Sequence, residues 1–285
     1  MSGGADSLAL LLLAARAAPA TVLAATVDHG LRAEAAAEAD FVAALCARIG
    51  IGHRILRPAE PITGSVQAAA RRARYALLET WRQECGLDWI LTAHHADDQA
   101  ETLLMRLNRG AGVAGLSGVR AVNGRVARPL LGWRRAELAA IVRTAGVAPV
   151  ADPTNVDERF DRARTRRHIG DAGWIDPPAL ARSASALAEA DAALDWTVER
   201  LVEARAGGDT AEARLDVTGV PGELRRRLLL AMLRRIAPGA EPRGDELSRL
   251  LETLDRGGTA TLAGVKCRGG PEWRFEPAPP RRSKG

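Results

Sequence analysis

Apolar positions in the first half of the chain form short blocks that alternate between two periods. Leu8 to Ala15 is an unbroken apolar, helix-favouring run, and residues 4–18 predict a first helix. Thr21 to Val27 is shorter and flanked by turn-forming residues, and it predicts a buried strand ending at Asp28-His29-Gly30-Leu31-Arg32. The pattern repeats as a helix over 34–50, a strand over 53–56, a helix over 65–86, a strand over 88–93 and a helix over 95–108. Strands separated by helices at this spacing predict an α/β fold built on a doubly wound, mostly parallel sheet. Ligands of such sheets sit outside the carboxyl ends of the strands, where Asp28-His29 and His94-His95 fall.

The second half reads differently. Residues 109–132 are a connection, glycine-rich over Arg109 to Gly118, too apolar for a free linker and expected to pack beside the site. Arg128-Pro129-Leu130-Leu131 leads into a helix over 133–145, Asp152-Pro153-Thr154-Asn155 is a turn, and a basic run spans Arg159 to His168. An alanine-rich helix over 177–206 follows, with Gly207-Gly208 as a boundary. A strand over 214–217, helices over 220–236 and 243–256 and a hairpin over 259–275 complete the chain. The expected organisation is an α/β domain over 1–175, a helical connector over 176–208, a small α+β domain over 209–276 and a disordered tail over 277–285.

Composition narrows the class. At 47% hydrophobic and 26% charged, the 285 residues are too apolar for disorder. The longest apolar run is too short to span a bilayer and no basic segment precedes it, so neither a membrane span nor a signal peptide is predicted and a cytoplasmic address is expected. Cys46, Cys85 and Cys267 are widely spaced, which argues against a zinc site, an iron–sulfur cluster or a disulfide framework. The net charge of +5 lies within residues 1–170, carried by arginine, which favours planar contacts to phosphates and base edges.

Two dense patches carry the candidate chemistry. Ser2-Gly3-Gly4-Ala5-Asp6-Ser7 opens directly into the first helix. Glycines let the backbone turn its N–H groups inward, Ser2 and Ser7 can donate, and the helix N-terminus adds unpaired N–H groups and partial positive charge. That is the make-up of a phosphate cradle. Asp6 suits an anion that carries Mg²⁺. The alternative is a plain loop in which Asp6 or Ser7 caps the helix. In the second patch, Thr92 to Thr102, Asp98 and Glu101 share a helix face and can hold Mg²⁺ or a substrate ammonium, or merely complement the helix dipole. Arg71, Arg74 and the cluster Arg162, Arg164, Arg166 and Arg167 read either as phosphate contacts or as solvated basic surface.

Taken in order, SGGADS, VDHGLR, AARRARY, TAHHADDQAET, NRGAGVAGLSGV, RPLLGWRRAEL, DPTN with the arginines after it, and GGTATLAGVKCR resemble the tRNA(Ile)-lysidine synthetases of the PP-loop, or N-type ATP pyrophosphatase, superfamily. The resemblance implies ATP-dependent attachment of free L-lysine to the wobble cytidine of a CAU-anticodon tRNA(Ile), through an adenylated cytidine. It implies ATP and Mg²⁺ at Ser2, Gly3, Gly4, Ala5, Asp6 and Ser7, with His29 and His94 lining the nucleotide pocket and Asp6 touching the metal. Arg74 would support the developing charge, Asp98 and Glu101 would bind lysine, and Arg109, Arg162, Arg164, Arg166 and Arg167 would contact tRNA. The small domain would grip the tRNA further away. A loop of this type follows a central strand, yet only Met1 precedes Ser2, so a start further upstream and a truncated first strand are expected. Oligomeric state is left open, a homodimer being one reading. Two rivals stand beside this one: a 2-thiocytidine-type enzyme, which needs cysteine pairs that this chain lacks, and a catalytically inactive tRNA-binding relic.

Overall fold

The computed structural model describes residues 1–30, 35–59, 66–150, 159 and 161–279. It forms two compact units, Met1–Ala188 and Glu189–Gly285. Leu31, Arg32, Glu34, Ser65, the Asp152–Asn155 turn and the tail from residue 280 lie outside the described residues.

In the first unit α1 (Ala5–Ala17) precedes β1 (Leu23–Val27), α2 (Ala35–Arg48) precedes β2 (Gly52–Leu56), and α3 (Val66–Glu84) precedes β3 (Ile90–Leu91). Then come α4 (Ala96–Leu107), α5 (Val113–Leu116), the hairpin β4 (Val122–Asn123) and β5 (Val126–Ala127), α6 (Arg135–Thr144) and α7 (Asp161–Asp171); α8 (Pro177–Arg205) begins in the first unit and ends in the second. Consecutive residues of a strand face opposite sides, and β1 uses both. Ala24 joins Leu8 and Leu11 of α1, Val42 and Leu45 of α2, and Leu138 and Val142 of α6. Ala25 joins Leu56 and Trp81 of α3. Helices therefore cover both faces, as a doubly wound fold requires.

The sheet is not continuous. β1 and β2 pair in parallel, while β3 pairs in parallel with β5, whose other neighbour is antiparallel β4. β3 is only two residues long, so it offers few ladder bonds, and no described strand bonds to both β1 and β3. The backbone nitrogen of Met1 donates to the Ala25 carbonyl of β1. The basic run is helical as α7, which fits the high helix propensity of arginine and alanine. The glycine-rich connection is hydrogen-bonded to α4, and its later part forms the β4–β5 hairpin. Gln99 exchanges hydrogen bonds of 2.8 and 2.6 Å with the Val119 backbone, and Arg106 donates to the Gly115 and Gly118 carbonyls at 2.6 and 3.1 Å.

In the second unit β6 (Ala206–Gly208), β7 (Ala213–Asp216), β8 (Thr259–Leu262), β9 (Val265–Arg268) and β10 (Glu272–Pro277) form an antiparallel sheet in the order β6-β7-β10-β9-β8. Alternation sets its inner face, where Leu215, Trp273, Phe275 and Cys267 bury against α9 (Gly222–Ile236) and α10 (Gly244–Asp255). Gly207-Gly208, which reads as a boundary, is part of edge strand β6. There Gly208, at φ +81°, lies so close to the Glu212 carbonyl that a Cβ would sit 2.0 Å from its oxygen. The hairpin gains a third strand, β10. Among the described residues no helix is long and apolar enough to cross a membrane.

Candidate functional site

The loop Ser2–Ser7 wraps the start of α1. Gly3 has φ +73°, and a Cβ there would lie 3.0 Å from Val150 Cγ2, while its carbonyl accepts from Val150 N at 2.9 Å. Close approach thus demands glycine. The Ser2 hydroxyl donates to Ser7 Oγ at 3.2 Å, and Ser7 Oγ donates to the Gly4 carbonyl at 3.0 Å. Asp6 is partly buried. Burial alone would raise its pKa, but His95, Arg135 and Arg166 outweigh that and hold the carboxyl below its usual value. Its Oδ1 is buried with no hydrogen-bond partner among the described residues. An ionised oxygen left free beside a phosphate-type loop fits a magnesium ligand whose remaining partners are water and phosphate.

α4 presents the second set of groups. His95 is its N-cap: Nδ1 accepts from the Asp98 N–H at 3.3 Å, and the Asp98 carboxylate accepts from His95 N at 3.1 Å, a capping box. His95 Nε2 lies 3.5 Å from Asp6 Oδ2 and 3.5 Å from Asp98 Oδ2. One imidazole therefore stands between the loop carboxylate and the α4 carboxylate. Burial disfavours its charged form, but Asp6, Asp98 and Asp97 raise its pKa above the ordinary value. Asp97 is used structurally, accepting from the Arg134 guanidinium at 3.0 Å and from Arg135 N at 2.8 Å, which fixes the start of α6.

Glu101 is only 2% exposed, and α7 takes both of its oxygens. Arg166 donates to Oε1 at 2.6 Å and to Oε2 at 3.2 Å. Arg162 donates to Oε2 at 2.7 Å and to Asp98 Oδ1 at 2.9 Å. The spacing explains this: residues 162 and 166 share one face of α7, as residues 98 and 101 share one face of α4. The family resemblance implies RNA as the partner of these arginines and lysine as the partner of these carboxylates; in the structure they pair with each other. Of the remaining arginines in that group, Arg109 donates to Asp161 at 2.7 Å, Arg164 bonds the same carboxylate, and Arg167 is exposed.

A cavity of about 580 Å³ is lined by Glu101, Asp97, Arg135, Arg166, Asp176 and Trp174 among others. The charges of Arg135 and Arg166 also act on Asp6, so the cavity and the loop share one electrostatic environment. Arg135 has no carboxylate partner among the described residues, and Trp174 is 85% exposed. His29 has a buried Nδ1 with no hydrogen-bond partner among the described residues; burial lowers its pKa, and the charge of Arg74 adds to that. His94 bonds the Thr92 hydroxyl at 3.0 Å. Burial lowers its pKa to about 4, aided by Arg128, Arg162 and Arg71 and opposed by Asp98. The unfolded chain takes up this proton near pH 6.5, so this group's contribution to stability rises with pH from about 4 to about 6.5. Histidine C2–H chemical shifts are expected to show one ring titrating near pH 4, absent in His94→Gln. A value near 6.5 would contradict the burial argument.

The sequence places His95 at a strand end without giving it a role, and it misses Arg135 and the cavity. His95-x-x-Asp98 has capping-box spacing, a signal that could have supplied that role. Nothing in the sequence signals the cavity, because its wall joins α4, α6 and the end of α7.

The PP-loop domain family matches residues 1–172. The tRNA(Ile)-lysidine synthase of Novosphingobium aromaticivorans is 51% identical over 298 residues, covering 99% of this chain and 89% of the relative. The chain belongs to the tRNA(Ile)-lysidine synthase family. The Zymomonas mobilis member is 43% identical, covering 99% of this chain and 88% of its own length. A solved structure, the U34-tRNA thiolase NcsA from Methanococcus maripaludis with its [4Fe-4S] cluster, aligns at a TM-score of 0.56 and 18% identity over 66% of this chain and 70% of that one, a likeness of fold.

Proposed function

We propose that the chain joins free L-lysine to carbon 2 of the wobble cytidine of CAU-anticodon tRNA(Ile) at the expense of ATP, in the cytoplasm. What carries this reading is the single imidazole of His95 lying 3.5 Å from both Asp6 and Asp98, so that a triphosphate subsite and an amine subsite adjoin. Cytosine O2 attacks the α-phosphorus, a new O–P bond forms, and the bond to the β-phosphate breaks to release pyrophosphate. The ε-amine of lysine then attacks carbon 2, the C–O bond breaks and AMP leaves. Adenylation makes the oxygen a good leaving group, and holding the amine at carbon 2 supplies the proximity term.

Ser2, Gly3, Gly4, Ala5 and Ser7 bind phosphates, with His29, His94 and Arg74 around the nucleotide. Asp6 would hold Mg²⁺, which supplies charge neutralisation on the phosphates. Lysine carries an acid and two amines, and the cavity beside Glu101 offers both signs, with Arg135 available to a carboxylate. The amine reaches Asp98 and Glu101 when Arg162, 45% exposed on its side chain, gives way. RNA phosphate is the competing anion that draws Arg162, Arg164, Arg166, Arg167 and Arg109 outward.

Incubation with ATP, labelled lysine and a CAU-anticodon tRNA(Ile) transcript is expected to transfer label to the RNA with one AMP and one pyrophosphate released per lysine. Retardation of the RNA on a gel without incorporation would instead identify an inactive binding relic. Incorporation of sulfur in place of lysine would identify a thiolating enzyme.

A further inference from the structure

A helix N-cap needs only an acceptor, and smaller residues than histidine supply one. At the head of α4 the cap is His95, 1% exposed, and the cap uses one ring nitrogen alone. Because Nδ1 accepts from the Asp98 N–H, the ring hydrogen resides on Nε2. Nε2 is buried and finds no hydrogen-bond partner among the described residues; at 3.5 Å its neighbours are Asp6 Oδ2 and Asp98 Oδ2. Asp6 Oδ1 is the matching orphan on the other side. Two buried polar atoms left open at one point mark a place where contacts tighten when ligand arrives, since such hydrogen bonds are often long without it.

We propose that His95 is a positioning residue for the first half-reaction: its Nε2–H holds Oδ2 of Asp6, leaving Oδ1 turned to the triphosphate and its magnesium, while its Nδ1 fixes the carboxylate-bearing end of α4. This rests on the ATP and lysine reading given above. One flat ring, with an acceptor on one edge and a donor on the opposite edge, spans the helix cap and the loop. Neither amide side chain can do both. Asparagine places its carbonyl near the position of Nδ1 and reaches no further. Glutamine places its NH₂ near the position of Nε2 and leaves the cap unfilled.

The two substitutions therefore separate the two duties. His95→Asn is expected to melt within a few degrees of wild type, yet lose about tenfold or more in both MgATP affinity and cytidine adenylation rate, the effect of losing one hydrogen bond to a charged group. His95→Gln is expected to melt lower and recover most of the adenylation rate per folded molecule. Activity that follows melting temperature in both variants, or a His95→Asn protein that binds MgATP and adenylates as wild type does, overturns the proposal. If His95→Asn does not fold, MgATP affinity of His95→Gln decides: within about threefold of wild type supports the role, and a loss of about tenfold overturns it. Wild-type lysidine formation is the control. Its absence would sink the function itself, whereas its presence beside an indifferent His95→Asn sinks only the role of the histidine.

Discussion

Asp6→Ala is expected to abolish adenylation of the tRNA, lowering its rate by about a thousandfold, with little loss of stability. The carboxylate sits in the first turn of α1, where an acid interacts with the helix dipole for about 0.3–1 kcal/mol. Alanine is itself a strong helix former, which offsets part of that. The catalytic loss is larger because Asp6 is the loop's acid, is held ionised by His95, Arg135 and Arg166, and keeps Oδ1 free of protein donors. Asp6→Asn should fall nearly as far, since it keeps the shape and loses the charge. Rapid-quench measurement of label transfer from α-labelled ATP to tRNA, with melting temperature recorded alongside, checks both halves. Adenylation within tenfold of wild type in either variant would remove Asp6 from the chemistry.

The alternation of short apolar blocks made the first unit legible, because β1 and its helices are buried on both faces and their periods follow from that. The loop was legible for a similar reason: Gly3 must take a positive φ against Val150, which a residue with a Cβ resists. Two things were not legible. Pattern does not report strand pairing, so the separation of β1–β2 from β3–β5–β4 could not be read from composition of the strands. Nor does it report which charges meet. The arginines of α7 and the carboxylates of α4 are more than sixty positions apart, and each set reads by itself as a ligand contact. Their mutual pairing is a tertiary fact. His95 was hidden by its neighbour, since two adjacent histidines look equivalent until the start of α4 assigns one to the cap.

That pairing makes Glu101→Gln the most informative substitution in the second half-reaction. Removing the charge leaves Arg162 and Arg166 one neutral amide oxygen where two carboxylate oxygens accepted, and the new amide nitrogen faces a guanidinium donor. Loss of one partner from a buried ion pair costs about 3 kcal/mol at the lower end of its range, which suits arginines that can turn partly to solvent. In a unit of this size that is a fall of about 6–12 °C in melting temperature. The chemical effect is separable from it. With Asp6, His95 and the loop unchanged, adenylation per folded molecule should remain near wild type while lysine transfer falls about a hundredfold, so adenylated tRNA accumulates. Excess lysine should restore part of the transfer if Asp98 still accepts the amine. If both half-reactions fall together per folded molecule, Glu101 serves only to fasten α7 to α4, and the amine subsite must be sought along the cavity wall at Asp97 and Asp176.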